Sequence, residues 1–314
     1  MVPTFYGGKI MRLITRADFD GLICAVLLKK AGVVDSHLFV HPKDVQDGKV
    51  EAGPNDVLAN VPYAPGCGLW FDHHMSEEER QAFPADFKGA AAPEKSCARV
   101  IFNHYGGAGK FPGLEEMMQA VDKSDSGDLD AGEIESPGPW LLLAFIVDPR
   151  TGLGRFDDFR IGTMPLMELL LENIGEKSIG QILALPDVAQ RVERYREQNA
   201  VYKEMIKRRA VLKGKVLVID LRPEERIAAG NRFVEYVMFP EATVSVRVMW
   251  GFQKQNVVFA VGHSVLNRYA TVNVGSLMLK YGGGGHPQVG TCQVETERAD
   301  QVLAELVEAL GRGE

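Results

Sequence analysis

Leu69-Trp70-Phe71-Asp72-His73-His74 is an apolar run that stops abruptly at one carboxylate and two imidazoles. Trp70 and Phe71 have the bulk and β-preference of a core strand, so the run predicts a buried strand with three titratable groups at its tip. Strand ends are where open α/β sheets place their ligands. A surface turn carrying two incidental histidines is the other reading of these six residues. The rest of the chain decides between them.

Upstream, residues 10–15 read as a strand, followed by Arg16-Ala17-Asp18-Phe19-Asp20-Gly21 and the helical spacing of Leu22, Ala25, Val26 and Leu28. Carboxylates at i and i+2 on a strand end point the same way, which suits one or two hard divalent cations. Asp20 as a helix cap alone would leave Asp18 unexplained. Residues 36–40 and 57–60 predict two more strands, the first leading into His41 and Asp44 and the second ending at Asn60. Strands separated by helical stretches, each ending in polar residues, predict a parallel sheet whose C-terminal edge forms one site.

Downstream, Gly106-Gly107-Ala108-Gly109-Lys110 has the look of a phosphate loop. It fails as one because Phe111 stands where a hydroxyl should bind magnesium, so a helix-ending turn is expected. Residues 114–121 have helical spacing and run into an acidic cluster with Asp122, Asp125 and Asp128. With Asp18 and Asp20 these carboxylates complete an oxygen-rich site. Residues 140–147 and 164–171 read as core helices, and 77–80 as a charged, solvated helix turn.

The second half has a different texture. Residues 187–212 contain no Gly or Pro and predict one long connecting helix. Strand-like runs follow at 216–219, 243–250 and 256–261, then a helix at 274–281. Next come Gly282-Gly283-Gly284-Gly285-His286, a strand at 291–294 and an amphipathic helix at 299–310. One glycine would end a helix. Four before a histidine suggest backbone N–H groups that approach an anion closely.

The totals agree with a folded protein of two domains. The chain has 314 residues, 46% hydrophobic and 25% charged, with no low-complexity tract. A net charge of −7 argues against broad binding to duplex nucleic acid, yet leaves room for a short oligonucleotide or polyphosphate held at a metal site. Cys24, Cys67, Cys97 and Cys292 lack CxxC spacing and are expected to be reduced thiols. No apolar run is long enough to span a bilayer, and residues 1–9 read as a loose leader rather than a signal peptide. The expectation is a cytoplasmic protein with no membrane partner.

Asp18-Phe19-Asp20-Gly21, Asp72-His73-His74, the Asp122 cluster and the glycine run, in that order, resemble the DHH phosphoesterase superfamily with its C-terminal DHH-associated domain. Within it the chain looks most like the exopolyphosphatase-related and nanoRNase-like branch. The resemblance implies an α/β fold: an N-terminal parallel-sheet DHH domain (10–185), a connecting helix (186–213) and a smaller α/β substrate-binding domain (214–314). It implies a hydrolase of phosphodiester or phosphoanhydride bonds acting on short, single-stranded oligonucleotides, nucleotide phosphates or polyphosphate. The cofactor would be Mn2+ or Mg2+, as one or two ions, and a homodimer stays open. Carried over by position, Asp18, Asp20, His73 and Asp122 would hold metal, with Asp125 the fallback for Asp122. His74 would meet the scissile phosphate or protonate the leaving group, and Asp72 would orient its neighbours. Gly283, Gly284, Gly285 and His286 would bind the distal phosphate, helped by Arg268.

Two positions depart from the family pattern. Arg16 stands near where members often carry a histidine, and Asn60 where they usually carry a bridging aspartate. A guanidinium cannot ligate a metal, and an amide oxygen is a weaker ligand than a carboxylate. The departures leave three expectations open: one metal site, an altered pair completed by His41 or Asp44, or a catalytically weak nucleotide- or phosphate-binding module.

Overall fold

The computed structural model describes residues 11–74 and 83–313; the leader and the acidic stretch at 77–80 lie outside them. One compact unit runs to Asp128 and resumes over Pro137–Glu193, and the other comprises Leu129–Ser136 and the chain from Arg194 onward.

In the first unit β1 (Met11–Arg16), α1 (Phe19–Ala31), β2 (Val34–Val40), α2 (Pro42–Gln46), β3 (Asp56–Ala59), β4 (Leu69–Asp72) and β5 (Gly89–Ala91) follow in sequence. Their strands form one parallel sheet in the order β2-β1-β3-β4-β5. Every residue of β3 and β4 is buried, as parallel strands covered on both faces require. Trp70 packs on one face against Tyr63, Phe83 and Phe87, its indole N–H donating to Val61 O at 3.0 Å. Phe71, one residue on, faces the other way, towards His104 and Tyr105. That alternation holds β4 in register and fixes where Asp72 emerges.

The helices α3 (Cys97–His104), α4 (Glu115–Ser126), α5 (Pro139–Val147) and α6 (Thr163–Asn173) belong to this unit. α1, with Leu22, Ile23, Leu27 and Leu28 fully buried, packs against β1 and α3. The glycine stretch after α3 is a short turn, and Phe111 is core, stacked on Phe102. The strand order reverses between β1 and β3. This is the switch point beyond whose carboxyl ends an α/β sheet opens a crevice.

The second unit has a six-stranded mixed sheet. The long helix α7 (Pro186–Arg209) stops short of the expected end, and the residues after it form β6 (Ala210–Lys213), antiparallel to β7 (Val216–Asp220). Gly214, at φ 61°, makes the tight hairpin turn between them. β7 supplies the hydrogen bonds that a lone helix end would lack there. Then come β8 (Val244–Trp250), β9 (Val257–His263), α8 (Val274–Leu279), β10 (Gly284–His286), β11 (Val289–Val294) and α9 (Ala299–Arg312). Val302, Leu306 and Leu310 of α9 enter the core with Val246, Phe259 and Val261 of the sheet.

At the end of α7, Arg208 and Arg209 both donate to Glu224, at 2.6 and 2.5 Å, and lower its carboxyl to about 2. Depressing a folded-state pKa adds stability above the unfolded value, roughly 4.3, which is lost as pH falls through that value towards 2. Glu224→Gln is therefore expected to melt below the parent at pH 7 and to converge with it as pH approaches 2. Thermal melts followed by circular dichroism across that range check this; a gap that persists at the acid end would rule the ion pair out as its source.

Candidate metal centre and active site

Asp18 follows the end of β1 and caps α1, its Oδ1 accepting from Gly21 N at 2.9 Å. Gly21 is needed there: a Cβ would lie 2.0 Å from Arg16 O. Asp20, in the first turn of α1, is buried and accepts from the opening N–H groups of α3, Cys97 N at 3.0 Å and Ala98 N at 2.8 Å. Helix starts favour an anion in this way. From β4, Asp72 accepts from His73 N at 2.8 Å and pairs with His74 Nδ1 at 2.7 Å.

His73 Nδ1 lies 3.1 Å from Glu94 O. A carbonyl only accepts, so Nδ1 carries the proton and, in the neutral ring, Nε2 presents a lone pair. That buried Nε2 has no hydrogen-bond partner among the described residues, although Asp125 Oδ2 is 3.2 Å away and Asp20 Oδ2 3.9 Å away. Three acceptors thus converge with nothing to donate between them. A histidine whose far nitrogen is fixed by a carbonyl is the usual metal-ligating arrangement, and Asp20, His73 and Asp125 bring their ligand atoms within 4.8 Å of one another.

The electrostatics point the same way. Burial, then the charges of Asp125 and Asp18, push the Asp20 carboxyl well above its ordinary range against the helix N–H groups. Burial also raises Asp18, with Arg16 opposing it. Among the described residues no cation is a main influence on Asp20, whereas Asp18 has Arg16 beside it, and a divalent cation fits the donor set of Asp20, Asp125 and His73, two carboxylates and one imidazole. For His74, burial works against the charged form, but the bond to Asp72 and the charges of Asp72, Asp125 and Asp20 outweigh it and raise the ring to about 9.

Some candidates stand elsewhere. Asp122 is engaged by Arg99, with Nη2 at 2.6 Å and Nε at 2.9 Å, and by Ser96 Oγ at 2.8 Å; Asp125, one helical turn on, is the residue that joins His73. His41 caps α2 through Lys43 N, and Asp44 pairs with Lys49. Neither belongs to the converging group. Arg16 pairs through Nε with Asp18 Oδ2 at 2.9 Å, and Asn60 Nδ2 donates to Asp18 Oδ1 at 3.2 Å. Arg150, paired with Asp148, feels the charges of Asp18 and Asp125, and no local pattern in the sequence marks it.

In the second unit Arg268 Nε donates to Val265 O at 2.9 Å. The glycine run is partly strand, since β10 pairs with β11. Much of its composition answers to packing: a Cβ on Gly283 would lie 2.1 Å from Thr291 O, and one on Gly285 2.2 Å from Val289 O. Gly284 has open space above its Cα.

No family model and no curated protein sequence matches the chain. Among solved structures, it is similar to the pGpG-specific phosphodiesterase PggH of Vibrio cholerae. The two are 45% identical with a TM-score of 0.82, over 97% of this chain and 100% of that one. The fold also matches a DHH domain from a member of a family of ribosomal proteins, at 13% identity and TM-score 0.54, over 97% of this chain and 87% of that one. An exopolyphosphatase-related protein of Bacteroides fragilis aligns at 13% identity and TM-score 0.49, over 97% and 93%. The chain belongs to the DHH phosphoesterase superfamily. As a DHH protein it is a metal-dependent phosphoesterase. No helix among the described residues of this DHH phosphoesterase is long and apolar enough to cross a membrane.

Proposed function

We propose that this DHH phosphoesterase hydrolyses the single phosphodiester link of pGpG, a 5′-phosphorylated dinucleotide, in the cytoplasm. The observation that carries this is the 45% identity, along the full length of the relative, to an enzyme described as pGpG-specific. A dinucleotide is the kind of short substrate that a chain of net charge −7 can take at a metal site.

Asp20, His73 and Asp125 would hold Mn2+ or Mg2+, which would supply Lewis acidity towards a phosphoryl oxygen and the attacking water. The chain's own groups do the rest. Asp72 orients both histidines, receiving His73 N and His74 Nδ1 on one oxygen. His74, so held, contacts the scissile phosphate and gives its proton to the departing ribose oxygen. In the second unit, taken by itself, the open backbone at Gly284, with Gly283, Gly285, His286 and Arg268, is assigned to phosphate binding.

The test is a panel of pGpG, pApA, longer oligonucleotides and polyphosphate, each with Mn2+ or Mg2+ and with His73→Ala as control. Rapid, metal-dependent release of mononucleotides from pGpG is expected. Faster turnover of polyphosphate or of longer strands would sink the assignment.

A further inference from the structure

The surroundings of Asp18 differ from those of Asp20 in one respect. Both accept backbone N–H groups, Asp20 those of Cys97 and Ala98, but Asp20 also faces acceptors, His73 Nε2 and Asp125. Asp18 is surrounded by donors: Gly21 N and Asn60 Nδ2 on Oδ1, and Arg16 Nε on Oδ2. A carboxylate only accepts, so Asn60 must present its NH2 and turn its oxygen away from Asp18. Asn60 itself sits at φ 56°, in the left-handed region that Asn enters more readily than most residues, and its bond to Asp18 orients the amide. Arg150 adds a second guanidinium whose charge reaches Asp18 and Asp125. A second dication at Asp18 would meet a guanidinium and an amide N–H where it needs ligand oxygens. The site beside Asp18 does not fit a metal.

We propose that this enzyme works with one divalent cation, on Asp20, His73 and Asp125, and that Arg16, anchored on Asp18, supplies the second positive charge and grips an oxygen of the substrate phosphate. This rests on the reading of Asp20, His73 and Asp125 as cation ligands. Arg16 spends Nε on Asp18, and its side chain is 34% exposed. A guanidinium anchored by one edge keeps a fork of N–H groups suited to phosphate. Arg16 would then be a catalytic residue, and Asn60 a positioning residue that keeps Asp18 in place to orient it.

The experiment counts Mn2+ per chain by calorimetry and by electron paramagnetic resonance on the full-length protein. The wild type is expected to bind one ion with an uncoupled Mn(II) signal, and Arg16→Ala to keep that ion. Arg16→Ala should bind pGpG at least tenfold more weakly with Ca2+ in place of Mn2+. The pair Arg16→His with Asn60→Asp should gain a second ion. Two ions per wild-type chain, a spin-coupled signal, or unchanged pGpG affinity in a folded Arg16→Ala would overturn the proposal while leaving the Asp20–His73–Asp125 site intact. Mn2+ binding untouched by His73→Ala would instead remove that site and the proposal with it.

Discussion

His73→Ala is expected to abolish measurable Mn2+ binding and phosphoesterase activity together while leaving the melting temperature nearly unchanged. The ring belongs to the converging acceptors, and its Nε2 is the orphaned atom among them. Losing even a supporting hydrogen bond to a ligand costs roughly 10–100-fold in metal affinity, so removing the ligand itself should exceed that range. The apolar residues before it are untouched, since Trp70 and Phe71 carry the packing of β4. Metal titration by calorimetry, with a thermal melt on the same sample, checks both halves. Activity retained at saturating metal would mean that the imidazole is not a ligand.

The second large effect is a contrast between two aspartates one helical turn apart on α4. Asp125→Asn should cut activity by more than about 100-fold, on the same ligand argument, and leave stability nearly alone. Asp122→Asn should do the reverse. It removes the charge that holds Arg99 in a two-point contact and accepts from Ser96, the N-cap of α3. Charged hydrogen bonds of this kind contribute about 1.5–3 kcal/mol, so a stability loss of that order is expected. Because Ser96 starts the helix whose first N–H groups hold Asp20, a modest fall in metal affinity should accompany it. Urea unfolding and steady-state kinetics on both variants separate the roles; equal kinetic damage from the two would reject the division.

These two aspartates also mark the boundary of what local sequence could show. Both stand in one acidic cluster at the end of one helix, and nothing in the spacing says which faces His73. The position of α4 against α3 decides it, because Arg99 reaches Asp122 first. Similarly, Arg16 and Asn60 were visible as departures from a family pattern. That both turn donors onto Asp18 follows only from β1 and β3 lying side by side. The run after Arg209 has helical spacing in isolation and becomes strand because β7 offers it a hydrogen-bonded edge. The glycine run could be read as an anion cradle, whereas its register with β11 gives the glycines a packing reason as well.

The opening six residues offered a buried strand with polar groups at its tip, and the motifs before and after them in the sequence favoured it over a surface turn. A continuous apolar run and an abrupt change of polarity are local properties, legible before any tertiary arrangement is known. The same holds for Asp18 and Asp20 at the start of α1. The tertiary structure alone decided which carboxylates share an edge with His73 and which are neutralised by guanidinium groups. Those choices depend on ångström-scale distances between segments as far apart in the chain as Asp18, Asn60, Asp72 and Asp125. The strand order and the packing of α3 and α4 set such distances.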